Sequence, residues 1–172
     1  RARWAARLPS AGRRVGLVWR GNARHHNDRH RSLPGLAALA ALWTVAGVHF
    51  VSLQKEISAP DPALPLLELG AECADFADTA ALVENLDLVI SVDSAVAHLT
   101  GALGKPGWVL LPDYRTDWRW LEARADSPWY PSLRLFRQPR RGDWAPTLKE
   151  VRQALAAWAA GAPLNRESRT PG

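Results

Sequence analysis

The sequence predicts an α/β fold in which helices cover both faces of a parallel sheet. Short apolar runs rich in β-branched and aliphatic residues alternate with segments of helical periodicity along the chain. Most of these runs are continuous rather than alternating, which is typical of strands buried on both faces of a sheet. The chain has 172 residues, of which 47% are hydrophobic and 23% are charged. This composition supports one globular domain and excludes disordered and fibrous chains.

Each predicted element follows from its own pattern. The six strands are Val15–Trp19, His49–Leu53, Leu66–Leu69, Asp87–Val92, Trp108–Leu111 and Leu133–Phe136. Three helices are predicted from apolar residues at three- and four-residue spacings. Those residues are Leu36, Leu39 and Trp43 in the first helix, Leu82, Val83 and Leu86 in the second, and Leu148, Val151, Leu155 and Trp158 in the last. Pro146 suits the first turn of the last helix, and Gly161 ends it.

Residues 15–161 are predicted as the domain, residues 1–14 as a basic N-terminal linker and residues 162–172 as a frayed polar tail. The chain has no methionine, even at position 1, which suggests a piece of a longer protein. Leu33–Val51 carries no formal charge, but proline and glycine interrupt it and it divides into a helix and a strand, so no membrane span is predicted. The arginine-rich start lacks the apolar core of a signal peptide.

The formal net charge is +5, and arginine supplies nearly all of the basic charge. This balance favours an anionic partner: a phosphate ligand, a nucleic acid or a membrane surface. The alternative explanation of the many arginines is GC-rich codon usage. Cys73 is the only cysteine, so the chain forms no internal disulfide. A reducing, cytoplasmic setting is therefore expected.

Polar and basic segments follow four of the predicted strands. Arg20–Ser32 follows the first strand, Gln54–Glu56 the second, Asp93 and Ser94 the fourth, and Pro112–Trp120 the fifth. Ligands of parallel α/β sheets bind at the carboxyl ends of the strands, so this edge is predicted to carry the site.

A helix is predicted to begin directly after the fourth strand. Asp93 is a good N-cap residue, and Ser94 and His98, four residues apart, share one face. Free amides at Ser94 and Ala95 and the positive end of the helix dipole would bind a phosphate group. The alternative is that Asp93 and Ser94 only cap the helix and that His98 bonds a neighbouring loop.

The run Asp78–Leu99 resembles the donor-binding signature of GT-B glycosyltransferases of the heptosyltransferase type. It is still more similar to the glycosyltransferase domain that follows tetratricopeptide repeats in many bacterial proteins. Stretches similar to that group are also found at Gly16–Asn22, Asn27–Ser32, Leu53–Glu56, Asp117–Trp120 and Ser127–Pro131. The resemblance implies a Rossmann-like domain, one half of a GT-B fold, that binds a UDP-, ADP- or GDP-linked sugar.

The resemblance also implies which residues bind the donor. They are Gly21, Asn22, Gln54, Lys55, Glu56, Phe76, Ala77, Asp93, Ser94, Ala95, His98 and Arg119. Asp93, Ser94, Ala95 and His98 would hold the sugar and the diphosphate, Gln54–Glu56 the nucleoside, and the segment around Phe76 and Ala77 the base. Heptosyltransferases commonly have glycine where Ala95 stands, which puts an ADP-heptose donor in doubt.

Glycosyl transfer expels a nucleoside diphosphate, so negative charge builds up on the leaving phosphates in the transition state. Fixed cations and a helix N-terminus stabilise that charge, and no metal or other cofactor is therefore expected. His98 and either Arg20 or Arg31 are expected to stabilise the phosphates. The resemblance places the acceptor site and the general base on an N-terminal half that this chain lacks. The fragment is therefore expected to bind a nucleotide sugar and to be inactive alone, and the full-length protein to carry that half and possibly tetratricopeptide repeats.

Three rival interpretations remain. A zinc site of His25, His26 and His30 is disfavoured because their segment is predicted as a loop. A Ser94 nucleophile lacks the Gly-x-Ser-x-Gly turn. Nucleic-acid binding is supported by the net charge and by nine tryptophans, but interspersed acidic residues and core-facing patterns weigh against it. The arginines that support nucleic-acid binding are Arg137, Arg140 and Arg141. The tryptophans in core-facing patterns, which weigh against it, are Trp19, Trp43, Trp108 and Trp158.

A further alternative is a degenerate interaction domain that keeps the fold and has no catalytic activity. Such a domain would not require the phosphate-site residues, so their presence argues against it. An aromatic cluster of Trp118, Trp120, Trp129 and Tyr130 follows the fifth strand, and it would either flank a sugar or nucleobase or pack against the missing half. Within it, Trp118 and Trp129 are expected to pack, in the fold or against the missing half, and Arg119 is expected to face the cleft.

Overall fold

The computed structural model of the protein describes residues 2–56 and 63–164 and confirms the α/β fold. Six strands form one sheet: β1 (Arg13–Val18), β2 (Val48–Ser52), β3 (Leu66–Glu68), β4 (Leu88–Val92), β5 (Gly107–Leu111) and β6 (Leu133–Arg137). Their order is β3-β2-β1-β4-β5-β6, and all neighbouring strands are parallel. All six predicted strands are present, and their ends shift by at most two residues.

The described residues also form five α-helices and three 3-10 helices. The α-helices are α1 (Ala2–Ala5), α2 (Asp28–Arg31), α3 (Phe76–Val83), α4 (Ala95–Ala102) and α5 (Ala145–Ala159), and the 3-10 helices are Leu36–Thr44, Gly70–Glu72 and Trp118–Trp120. The helix α5 packs against Leu36–Thr44, and α3 packs against α4. Because parallel crossovers are right-handed, these two pairs cover opposite faces of the sheet. The predicted two-sided covering is confirmed.

The segment Leu36–Thr44 differs from its prediction, since it is a 3-10 helix. Its buried residues are Leu39 and Leu42, whereas Trp43 of the predicted apolar face is only partly buried. A 3-10 helix has three residues per turn, so positions three apart share a face and Leu42 replaces Trp43 in the core.

The N-terminal segment, predicted as a linker, packs on the domain over its described part. Trp4 in α1 is 1% exposed, and Leu8 is also buried. Arg7 forms an ion pair with Glu72 beside α3. A tryptophan buries a large apolar area, which explains why this basic segment folds onto the sheet's helices. Arg1 and residues 165–172 of the predicted tail lie outside the described residues.

The sheet has a continuous core around β1 and β4. Trp19, Trp108 and Trp158 are buried as predicted, at 6%, 1% and 4% exposure. The strand order reverses between β1 and β4, and such a switch point leaves a crevice at the carboxyl edge of the sheet. In the described part of the chain, no helix has the length and hydropathy that a membrane span requires.

Candidate functional site

Two loops meet over the carboxyl end of β4. The loop after β1 contains Asn27, which is 4% exposed, and its Nδ2 donates hydrogen bonds of 3.1 Å to the carbonyls of Tyr114 and Arg115. Both carbonyls belong to the loop after β5. Because β4 lies between β1 and β5, this bridge crosses the strand end that precedes Asp93.

Asp93 is anchored by an indole rather than acting as a helix cap. Its carboxylate is buried and accepts a 2.9 Å hydrogen bond from Trp120 Nε1. The N-cap residue of α4 is Ser94, and its hydroxyl lies 2.8 Å from Ser91 Oγ without capping the helix. The predicted capping role of Asp93 is therefore wrong, because its side chain turns toward the loop after β5.

His98 lies in the second turn of α4, and aromatic groups surround its ring. Its Nε2 is 4.0 Å from Asp93 Oδ1, its Nδ1 is 3.3 Å from the Tyr130 hydroxyl, and its ring stacks on Trp120 at 4.9 Å between centroids. A Cβ at Gly101 would lie 2.4 Å from the Tyr130 ring. Glycine at that position therefore lets Tyr130 pack on the helix and hold the imidazole.

The first amides of α4 precede His98 by one turn. The first N–H groups of any α-helix lack partners within the helix and carry the positive end of its dipole. Here they belong to residues beginning with Ala95, which is exposed. This start of a helix and the His98 ring together offer hydrogen-bond donors to an anion.

His25 approaches Asp93 from the loop after β1. Burial, together with the charges of Arg31 and His26, lowers the pKa of His25, although the carboxylates of Asp93 and Asp28 act in the opposite direction. Its ring stacks on His26 at 4.4 Å. Among the described residues, no three or more His, Cys, Asp or Glu side chains are grouped so as to hold a metal.

Arg31 is built into the loop after β1. Its Nε lies 3.4 Å from Asp28 Oδ1, and its side chain is 12% exposed. A Cβ at Gly21 would lie 2.7 Å from Arg31 Nη2, so the glycine allows the guanidinium to approach the backbone closely. The pair belongs to α2, a single turn within the segment predicted as a loop.

Arg20 lies elsewhere on the same edge. It lines a cavity of about 280 Å³ whose other residues include Arg29, His30 and Trp144. Asp93 and His98 do not line this cavity. Of the two arginines predicted to neutralise a diphosphate, Arg31 is thus the one beside the His25 and Asp93 cluster.

The segment after β2 joins two loops. Gln54 is buried, and its side chain accepts from the Arg20 amide at 3.1 Å and donates to the Arg20 carbonyl at 3.2 Å. Lys55 Nζ donates to the Cys73 carbonyl, and Glu56 is exposed. Both the oxygen and the nitrogen of the Gln54 side chain are therefore hydrogen-bonded to the backbone of Arg20. The sequence does not predict this contact.

Three further predicted donor-binding residues lie at the surface. Phe76, the first residue of α3, is 60% exposed, and Ala77 beside it is exposed as well. The exposed Asn22 accepts a hydrogen bond from the Arg24 amide through its Oδ1. An exposed phenylalanine at a helix start offers a free aromatic face.

Arg119 pairs with Asp117 beside His98. Its Nη1 contacts both carboxylate oxygens of Asp117 at 3.0 Å. Burial would raise the pKa of Asp117, but the Arg119 amide, the Arg119 guanidinium and His98 together lower it. Trp118 and Trp129 are 65% and 56% exposed, so these two residues do not pack inside this domain.

Comparison with known proteins places these features in a family context. Residues 72–110, which contain α3, β4 and α4, match Glycosyltransferase family 9 (heptosyltransferase). The chain is 34% identical over 170 residues to Protein FlbA of Caulobacter vibrioides, and the match covers 92% of this chain and 28% of that protein. The chain therefore spans less than a third of that curated relative.

A solved structure shares the fold. E. coli heptosyltransferase WaaC with ADP matches with a TM-score of 0.55 and 17% identity, over 88% of this chain and 46% of that chain. The chain thus has a Rossmann-like α/β fold that it shares with part of that heptosyltransferase, and its central segment matches Glycosyltransferase family 9.

Proposed function

We propose that this domain is the donor-binding half of a metal-independent glycosyltransferase and holds the nucleoside diphosphate of a nucleotide sugar. The observation that carries this proposal is the arrangement of Asp93, Trp120 and His98 around the start of α4, at the switch point of the sheet. Asp93 and His98 fall within the segment that matches family 9, and the structurally similar WaaC was solved with ADP.

The chemistry of the site suits departure of a diphosphate. Negative charge grows on the leaving phosphates during glycosyl transfer, and preorganised donors stabilise it. In this domain those donors are the first amides of α4, the His98 ring and the guanidinium of Arg31. The Asp93 carboxylate, held by Trp120, would accept hydrogen bonds from hydroxyl groups of the donor.

The remaining parts of the reaction belong to other segments in this proposal. The chain matches 46% of WaaC and 28% of FlbA, which supports an acceptor site and general base on a separate half. Tetratricopeptide repeats are proposed for the full-length protein. Cys73 is a buried free thiol, which supports a reducing, cytoplasmic setting.

Calorimetric titration of ADP, UDP and GDP into the domain at two salt concentrations tests the proposal. We expect one nucleotide to bind, and His98→Ala to weaken it about tenfold, as loss of one charge-assisted hydrogen bond does. His49→Ala is the matched control, since His49 is exposed near the start of β2, at the opposite edge of the sheet.

Equal nucleotide affinity in His98→Ala and the unchanged protein would place the nucleotide elsewhere. Binding of single-stranded RNA with a steep salt dependence, and of no nucleotide, would favour the nucleic-acid interpretation instead. The exposed Trp118 and Trp129 are the observation that keeps this second interpretation open, because bases stack on such rings.

A further inference from the structure

A group of arginines surrounds His30 on the same edge of the sheet. It consists of Arg29, Arg115 and Arg141, contributed by the loops after β1, β5 and β6, and we call it the arginine cluster. His30 Nε2 accepts from Arg29 Nε at 3.0 Å and lies 3.0 Å from Arg141 Nη2. The Arg141 guanidinium also stacks on Tyr114 at 3.9 Å.

No carboxylate among the described residues forms an ion pair with the arginine cluster. None of the ion pairs in the described part of the chain uses its three arginines. The acid nearest in sequence is Asp28, which contacts Arg31 and accepts a hydrogen bond from Ser32 instead. Like charges gathered without a counter-charge raise the local potential and attract an anion.

His30 separates the guanidinium groups as a neutral ring. Burial lowers its pKa, and the charges of Arg141, Arg29 and Arg115 lower it further. His30 Nε2 accepts from both Arg29 and Arg141, so the imidazole holds these two guanidinium groups in place. Guanidinium groups held in this way are preorganised for the oxygens of a phosphate group.

One arginine of the cluster, Arg29, lines the cavity of about 280 Å³ together with His30, Arg20 and the acidic Asp28, and Gly142, the neighbour of Arg141, lines it as well. Leu33, Pro34 and Trp144 form an apolar part of its lining, next to Arg29 and His30. The cavity is larger than an inorganic ion needs, since a water molecule occupies about 30 Å³ of liquid. Its mixed lining fits a phosphate group attached to a small carbon skeleton.

We propose that the arginine cluster and this cavity form a second anion site, which binds the phosphate group of a small phosphate ester and is separate from the nucleotide site. Asp93 and His98 lie outside the cavity. The charged neighbours of the two histidines also differ: they are Arg31, His26, Asp93 and Asp28 for His25, and Arg141, Arg29 and Arg115 for His30. The proposed function places the acceptor site on a separate half, so the ester would be a further ligand of this half, and that role rests on the proposed function.

Titration of glucose 6-phosphate and of inorganic phosphate into the whole chain tests this proposal. We expect saturable binding, and at least about a tenfold loss of affinity in Arg141→Gln, because one charge-assisted contact is removed. Arg152→Gln is the control, since it removes the same charge from α5, where Arg152 bonds Thr44 outside the cluster. Denaturant unfolding establishes that both variants are folded.

The two phosphate ligands distinguish the source of the anion. Tighter binding of glucose 6-phosphate supports an ester, and equal affinities support a site for the phosphate group alone. ADP affinity is expected to be unchanged in Arg141→Gln, and glucose 6-phosphate affinity to be unchanged in His98→Ala. This pattern keeps the second site distinguishable from the nucleotide site, whether or not the latter binds ADP.

Three results would overturn the second site. Equal losses in Arg141→Gln and Arg152→Gln would mean that only general surface charge attracts the ligand. Loss of ADP and glucose 6-phosphate together in Arg141→Gln would assign the cluster to the nucleotide site. Binding of RNA with a steep salt dependence, and no saturable binding of either small phosphate, would assign it to a nucleic acid.

Discussion

The indole of Trp120 connects the loop after β5 to the end of β4. It donates to the buried Asp93 carboxylate at 2.9 Å and stacks on the His98 ring at 4.9 Å. A buried carboxylate that loses a hydrogen bond pays a large desolvation penalty. The geometry of the proposed nucleotide site therefore depends on a side chain that belongs to another loop.

Trp120→Phe tests this dependence on a single N–H group. We expect the free energy of unfolding to fall by about 1–3 kcal/mol and nucleotide affinity to fall as well, because the carboxylate is left unpaired. Chemical denaturation and calorimetric titration measure the two effects. Trp108→Phe is a matched control, since Trp108 Nε1 is buried with no hydrogen-bond partner among the described residues. Unchanged nucleotide affinity in Trp120→Phe would contradict the role assigned to this contact.

At the scale of elements, Asp87 ties the start of β4 to β1. Its carboxylate accepts from the Arg14 amide at 2.7 Å and contacts the Arg14 side chain at 3.2 Å. Burial would raise the pKa of Asp87, but the hydrogen bonds from Arg14 and the charges of Arg14 and Lys105 lower it overall. The native state thus favours the ionised carboxylate more than the unfolded chain does.

The sign of this shift determines the pH dependence of stability. A carboxyl with a lowered pKa stabilises the fold above its unfolded pKa, and that contribution disappears as the pH falls through the folded pKa. Asp87→Asn is therefore expected to cost about 1–2 kcal/mol near pH 7 and progressively less below about pH 4. Urea denaturation of both proteins between about pH 3 and pH 7 measures this difference in the free energy of unfolding. Asp126→Asn, in an exposed pair with Arg124, is the control, and an equal effect of both variants would contradict the argument.

At the scale of the whole molecule, the positions of the strands along the chain follow from local sequence patterns. Continuous apolar runs identified all six strands, because strands buried on both faces need apolar residues at every position. The position of Asp93, Ser94 and His98 at the carboxyl edge follows from the same pattern.

Contacts between distant segments were not predictable in this way. Three contacts join different loops. They are the hydrogen bond from Trp120 to Asp93, the hydrogen bonds between Gln54 and the Arg20 backbone, and the cluster of arginines around His30. Periodicity describes one segment at a time and contains no information about which loops meet. The packing of α1 belongs to the same class, since its pattern spans only one turn.

Trp4 shows how far the folded domain extends toward the N-terminus. Its side chain is 1% exposed in the main core, and the Arg3 guanidinium lies 4.6 Å from its ring. Trp4→Ala is expected to lower the free energy of unfolding by about 3–5 kcal/mol, because it removes a large buried ring and leaves a cavity. Trp118→Ala is the matched control, and with Trp118 65% exposed we expect little change.

Urea denaturation monitored by circular dichroism compares the two variants. If the N-terminal segment is part of the cooperative domain, Trp4→Ala lowers the midpoint while the slope of the transition is preserved. A separate early transition, or equal stability of the two variants, would instead mean that residues 2–8 attach to an independently folded core. The expected result follows from the packing of α1 on α3, because the start of α3 also carries Phe76. The segment predicted as a linker then packs beside the helix start where the family resemblance predicts that the nucleobase binds.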